Sequence, residues 1–176
     1  MLGSITDGRL TGGWVDHFFV SRAKVRRHFE HSLADLDGVA VLDRTGALKD
    51  GTPFILGPDM RPAEPLCSYF FDASRYLTAK TLADYTYDLM DMARFLAAFD
   101  PPVGLLDASE DHLVAYRDYQ TTGQERPVSV ATWRRRRAAI DGFYDWAVQQ
   151  DGLLPRKPYT RRRSGRDALW WLWEDR

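Results

Sequence analysis

Four consecutive arginines, Arg134 to Arg137, are the residues best suited to chemistry in this sequence. A guanidinium is planar, always charged and able to grip a phosphate through two parallel N–H groups, so an all-arginine run suits phosphate better than a mixed run would. They sit in Ser129 to Arg163, where nine basic residues face three acidic ones, a balance of +6. The chain as a whole carries a net charge of −1. A general affinity for polyanions therefore does not follow from the total charge, but one basic face does. On a helix, successive residues point about 100° apart, so four arginines cannot share one partner. If Trp133, Ile140 and Tyr144 turn inward, Arg134 and Arg135 fall on the outer side. Arg136 is then intermediate, and Arg137 lays its stem along the core edge. The small Ala138 one turn on would let a partner approach the outer side closely. Lys157 and Arg161, Arg162 and Arg163 extend the basic stretch beyond the helix.

A second arrangement compatible with phosphate is Thr78, Lys80 and Thr81, at the start of another expected helix. Unpaired N–H groups and the helix dipole favour an anion there. The plain alternative is a cap beside a solvated lysine. Other chemistries find less support. Cys67 is the single cysteine, which excludes a disulfide framework or a cysteine zinc site. It reads as a small buried hydrophobe. His28 and His31 are three apart, but nothing completes a metal shell, so no metal and no cofactor is expected. Asp84, Asp88 and Asp91 read as the solvated face of a helix. No nucleotide-binding glycine loop and no nucleophile–base pair occurs. No apolar run reaches the length of a membrane span, and no signal peptide is evident. The expected setting is cytoplasmic, with neither a membrane nor a small-molecule substrate as partner.

The elements that would carry these residues are mainly α-helical. Apolar residues Phe18, Val25, Phe29, Leu33 and Leu36 predict a helix over about 16–37. Val39–Leu42 and Phe54–Leu56 suggest a short hairpin within 39–56. Three prolines (Pro58, Pro62, Pro65) mark a linker. A short helix over 66–74 carries Leu66, Tyr69, Phe70 and Ala73. Thr78 or Thr81 then caps a long helix whose stripe is Leu82, Tyr85, Leu89, Met92, Leu96 and Phe99. Pro101 and Pro102 follow it. Ser109 caps a third helix containing Leu113 and Tyr116, and 121–127 reads as a polar loop. Ser129 caps the fourth, with Val130, Trp133, Ile140, Phe143, Tyr144 and Ala147 on one stripe and Gly152 beyond its end. The tail holds Trp170, Trp171 and Trp173. The expected division is 1–65 as an extension, 66–155 as a helical bundle, and 156–176 as a basic linker and Trp-rich tail.

Three stretches carry a family resemblance. They are Leu77 to Leu89 followed by Arg94-Phe95-Leu96; Leu106 to Tyr119; and Val128 to Arg135 followed by Ala138 to Ala147. Together they resemble the core-binding domain of tyrosine recombinases of the phage-integrase type. Lys157-Pro158-Tyr159 resembles the Asn-Pro step at that domain's exit. The resemblance implies a SAM-like orthogonal four-helix bundle that forms half of a clamp around double-stranded DNA, with other recombinase subunits as further partners. It implies DNA contacts from Thr78, Lys80, Thr81, Arg134, Arg135 and Arg136, and from Lys157 with Arg161 to Arg163 as interdomain linker. Arg137 departs from the pattern, standing where the family has an aliphatic residue. The family cuts DNA with a tyrosine in a separate carboxy-terminal domain. Only seventeen residues follow Tyr159, with no histidine after His112, so no catalytic residue is expected here and the chain is not expected to be an enzyme. The alternatives are a small helical protein-interaction module and a truncated integrase product without activity of its own.

Overall fold

The computed structural model describes residues 16–20, 49–57 and 61–159. Within them lie two short strands and four α-helices. The strands are β1 (Asp16–Phe19) and β2 (Pro53–Leu56). The helices are α1 (Leu66–Ala73), α2 (Ala79–Ala97), α3 (Glu110–Asp118) and α4 (Val130–Gln149). A 3-10 turn, Leu105–Asp107, precedes α3, and a π-helical turn, Tyr119–Gly123, follows it. The chain is mainly helical with a small amino-terminal two-stranded sheet. Backbone contacts divide it into two compact units, with a chain boundary between Tyr87 and Asp88.

In the first unit β1 and β2 run antiparallel, with Asp16 opposite Leu56 and Phe18 opposite Phe54. The ladder is prolonged by bonds between Val20 and residues Thr52 and Gly51. The expected helix over 16–37 is therefore wrong at its start. Phe18, Phe19 and Val20 are of the aromatic and β-branched types that suit a pleated strand, and Phe18 gains Phe54 as a cross-strand partner at 5.1 Å between ring centroids. A helical period that counts Phe18 cannot register a partner 36 residues away. The strand expected at Phe54–Leu56 is present, but it pairs with β1; Val39–Leu42 and the rest of the expected helix lie outside the described residues. β2 packs on α1. The Cys67 thiol donates to the Ile55 carbonyl at 3.2 Å, and burial pushes it above its ordinary range. Gly51 has φ +84°, and a Cβ there would lie 2.4 Å from that of Ala79. This turn therefore admits only glycine without strain.

The stripe expected along the long helix is observed. Leu82, Leu89, Met92 and Leu96 are buried, with Tyr85 and Phe99 partly so. Thr78 caps α2: the Thr81 N–H donates to its hydroxyl at 3.2 Å. α3 starts with a reciprocal cap in which His112 N–H donates to Ser109 Oγ and Ser109 N–H donates to His112 Nδ1. In α4, the Ser129 hydroxyl accepts from Thr132 N–H at 3.1 Å. Trp133, Ile140, Phe143, Tyr144 and Ala147 are all buried. Gly152, with φ +82°, turns the chain past the helix end. The buried Tyr144 hydroxyl donates to the Leu105 carbonyl at 2.8 Å.

Candidate nucleic-acid interface

The arginine run begins one turn into α4, fixed in rotation by the aromatic stripe behind it. Trp133 and Ile140 point inward, so Arg134 and Arg135 emerge on the exposed side with Ala138, while Arg136 and Arg137 are only partly exposed. The order of exposure follows the helical spacing. The partners of these arginines do not.

Arg135 is gripped by a carboxylate. Its Nε and Nη2 donate to the two oxygens of Asp88 at 2.8 and 2.9 Å, a side-on bidentate pair. Asp88 is 1% exposed, whereas the Arg135 side chain is 41% exposed. Arg136 lies deeper, at 17%. Its Nε approaches Asp88 at 3.4 Å without hydrogen-bond geometry, and its Nη1 donates to Asp91 at 2.6 Å. The same Asp91 oxygen accepts from the Tyr116 hydroxyl at 2.8 Å and from Gln120 Nε2 at 2.6 Å. Gln120 is buried, and its side-chain carbonyl accepts from Gln124. Side chains from α2, α3, the π-turn and α4 thus meet in one polar network. Burial, more than the adjacent Asp91, lifts the Tyr116 phenol above its ordinary range, and Arg136 opposes that rise.

This network corrects two expectations. Asp88 is not part of a solvated face but a buried anion, tolerated because two guanidinium groups surround it. The segment 121–127 is not simply a polar loop: it begins inside the π-turn, beside the buried Gln120. The network also changes the electrostatics of the run. Asp88 and Asp91 offset Arg135 and Arg136 formally one for one.

The remaining candidates are placed as follows. Thr78 and Lys80 are exposed and Thr81 partly so, in the first turn of α2 and in the first unit. Lys157, in the segment after α4, pairs with Asp145 and lies 5.5 Å from the Tyr159 ring centroid. Tyr159 donates to Asp141, and burial, followed by that bond, pushes its phenol well above the usual range. Arg161, Arg162 and Arg163 lie outside the described residues, as do His28 and His31 and the tail tryptophans. Among the described residues no cluster of three or more His, Cys, Asp or Glu could hold a metal. No described helix is long and apolar enough to cross a membrane.

Sequence spacing missed Asp88, Asp91, Tyr116 and Gln120 as partners of the arginines. A signal was available: Asp88 and Asp91 are three apart and flank the buried Leu89 and Met92, too close to the apolar stripe for a wholly solvated face. A shallow groove of about 480 Å³ was not anticipated either; Arg94, Phe95, Ala98, Phe99 and Tyr119 line it beside Asp91.

The family model described as the phage integrase N-terminal SAM-like domain matches residues 70–151. The chain carries a phage integrase N-terminal SAM-like domain. The matched span runs from α1 to just past α4 and contains the whole Asp88–Arg136 network. The matched span is that of the family's amino-terminal, non-catalytic core-binding domain. No curated protein and no solved structure matches the chain.

Proposed function

We propose that this integrase core-binding domain holds double-stranded DNA by phosphate contacts and leaves strand cutting to other residues of the recombination machinery. The observation that carries the reading is the exposure of Arg134 and Arg135 on the outer face of α4, beside the small Ala138, within a domain of this family. Phosphate contacts of this kind position a protein on a duplex but read little sequence. Lys80, the hydroxyls of Thr78 and Thr81, Arg136, Lys157 and Arg161 to Arg163 are further proposed contacts. Arg136 is the weakest of them, being mostly buried and bound to Asp91. In this reading 66–155 is the duplex-holding bundle, 1–65 an extension, and 156–176 a linker and tail. Other recombinase subunits are the proposed protein partners.

The test is a gel shift of the wild type against Arg134→Ala and Arg135→Ala on a duplex of arbitrary sequence. Binding in the range of non-specific complexes, ~10⁻⁴–10⁻⁶ M at physiological salt, is expected for the wild type, with each variant weaker. Equal binding by all three proteins would overturn the assignment. The second reading, a protein-interaction module without a nucleic-acid partner, draws on the groove at Phe95, Phe99 and Tyr119; it predicts no duplex binding that depends on Arg134 or Arg135.

A further inference from the structure

We propose that the groove beside Asp91 is the docking site for this chain's own Trp-rich segment, Trp170 to Asp175. This docking is independent of the DNA-binding reading. The groove, of about 480 Å³, is lined by Asp91, Arg94, Phe95, Ala98, Phe99 and Tyr119. One side of α2 and the turn that ends it form the floor, and Tyr119 forms a wall. The rings pack on one another, Phe95 lying 5.4 Å from Phe99 and 5.2 Å from Tyr119 between centroids. All three still keep exposed surface, Tyr119 most of all at 45%.

Two polar groups select the occupant. Arg136, Tyr116 and Gln120 all donate to one oxygen of Asp91, Oδ2. Its Oδ1 accepts from no described residue, and the side chain is 40% exposed. Arg94, one turn on, is exposed and forms no ion pair among the described residues. The groove thus offers a hydrogen-bond acceptor, an aromatic floor and a cation. Its complement is a segment of ring-borne N–H donors followed by acids. Trp170, Trp171 and Trp173, followed by Glu174 and Asp175, are such a segment. An indole N–H can only donate, and its ring packs offset or edge-on against Phe and Tyr. The two carboxylates complement Arg94.

The tether is long enough. Phe99 packs on His112 at 4.9 Å, His112 bonds Ser109, and Ser109 and Tyr159 line one small cleft. Tyr159 therefore lies a few side-chain contacts from the groove. Ten residues (160–169) separate it from Trp170, and a chain of that length spans roughly 35 Å when extended. Such a tether presents the segment at about millimolar effective concentration. At micromolar protein it outcompetes the same segment of a second copy.

The experiment is native-state proteolysis of the full chain by chymotrypsin, with cleavage after Trp170, Trp171 and Trp173 timed by mass spectrometry. Cleavage of a docked segment tracks the fraction undocked. Arg94→Glu reverses the charge at the rim, and Ala98→Glu places bulk and negative charge in the groove. Each should be cut several-fold faster than the wild type at these sites. Glu174→Arg with Asp175→Arg should also speed cleavage in the wild-type background. In the Arg94→Glu background the same pair should restore slow cleavage, an outcome that a general loss of structure would not give. Cleavage after the buried Trp133 marks a variant that has not folded, and a disulfide measurement then decides alone. Cys67 is buried, so Ala98→Cys with Leu172→Cys supplies the reactive pair. It should close within one chain on mild oxidation, several-fold faster than Glu125→Cys with Leu172→Cys. Equal tail cleavage in the wild type and both groove variants would overturn the proposal, as would a charge swap that restores nothing or equal closure of the two cysteine pairs. A disulfide that forms mainly between two chains assigns the groove to a second copy and overturns it as well.

Discussion

Replacing Asp88 with alanine should destabilise the protein measurably, because it strands two guanidinium groups around a buried site. Removing one partner of a buried ion pair costs about 3–5 kcal/mol when the other charge is left uncompensated. Two features of the structure reduce that figure. The Arg135 side chain is 41% exposed and can rehydrate. Arg136 keeps its 2.6 Å bond to Asp91, so only its Nε loses a nearby anion. The expected loss is about 2–3 kcal/mol, or roughly 5–10 °C in melting temperature for a chain of this length. Urea and thermal unfolding followed by far-UV circular dichroism would measure it. In an Arg135→Ala background the loss should shrink by about 1 kcal/mol, since one of the stranded charges is already gone. If Asp88→Ala unfolds within 0.5 kcal/mol of the wild type (about the scatter of an ordinary surface change), the network contributes nothing and the reasoning from burial fails.

Three further outcomes can be checked on the same material. Ser129→Ala removes the hydroxyl that accepts from Thr132 N–H and should cost about 1 kcal/mol in urea unfolding, the usual worth of such a cap; Ser129→Gly should cost less. Gly51→Ala combines a positive φ with a Cβ placed 2.4 Å from that of Ala79; backbone strain and overpacking together should cost roughly 3 kcal/mol, and an alanine variant as stable as the wild type would show that the turn adopts another conformation. The phenols of Tyr69, Tyr116, Tyr144 and Tyr159 are all held above the usual value of 10.0, in each case by burial first. Their folded values exceed the unfolded one, so this stabilisation is complete below pH 10 and is lost as pH rises through the folded values. The urea midpoint should therefore fall above about pH 10, with the phenolate absorbance of these residues appearing together with unfolding, not before it.

Much of the fold could be read from spacing because the relevant signals are local. Leu82, Leu89, Met92 and Leu96 recur on one face of α2, and Trp133 to Ala147 on one face of α4. Ser109, Thr78 and Ser129 sit where a helix needs an acceptor for its first N–H groups. Each of these depends on residues within a few positions. The misreadings all involve distant partners. Asp16–Phe19 is a strand because Pro53–Leu56 lies beside it, and no window of a dozen residues contains both. Asp88 is buried because Arg135, 47 positions on, neutralises it. Gln120 is buried because Asp91 accepts its amide from 29 positions away. The candidate site divides in the same way. The exposure of Arg134 and Arg135 follows from helical rotation alone. That Arg135 is already gripped, and Arg136 mostly internal, depends on pairings across the fold that no spacing rule expresses.

The central claim is that exposed basic side chains on this domain hold DNA through its phosphates, and the salt dependence of binding tests it most directly. Counterion release gives a slope of about −0.9 in log affinity against log salt for each phosphate neutralised. With roughly five contacts, from Lys80, Arg134, Arg135 and the basic segment after α4, the slope on an arbitrary duplex should be about −4 to −5, and Arg134→Ala should make it shallower by nearly one. Affinity that stays flat across the salt range, or a slope that Arg134→Ala leaves unchanged, would contradict the account.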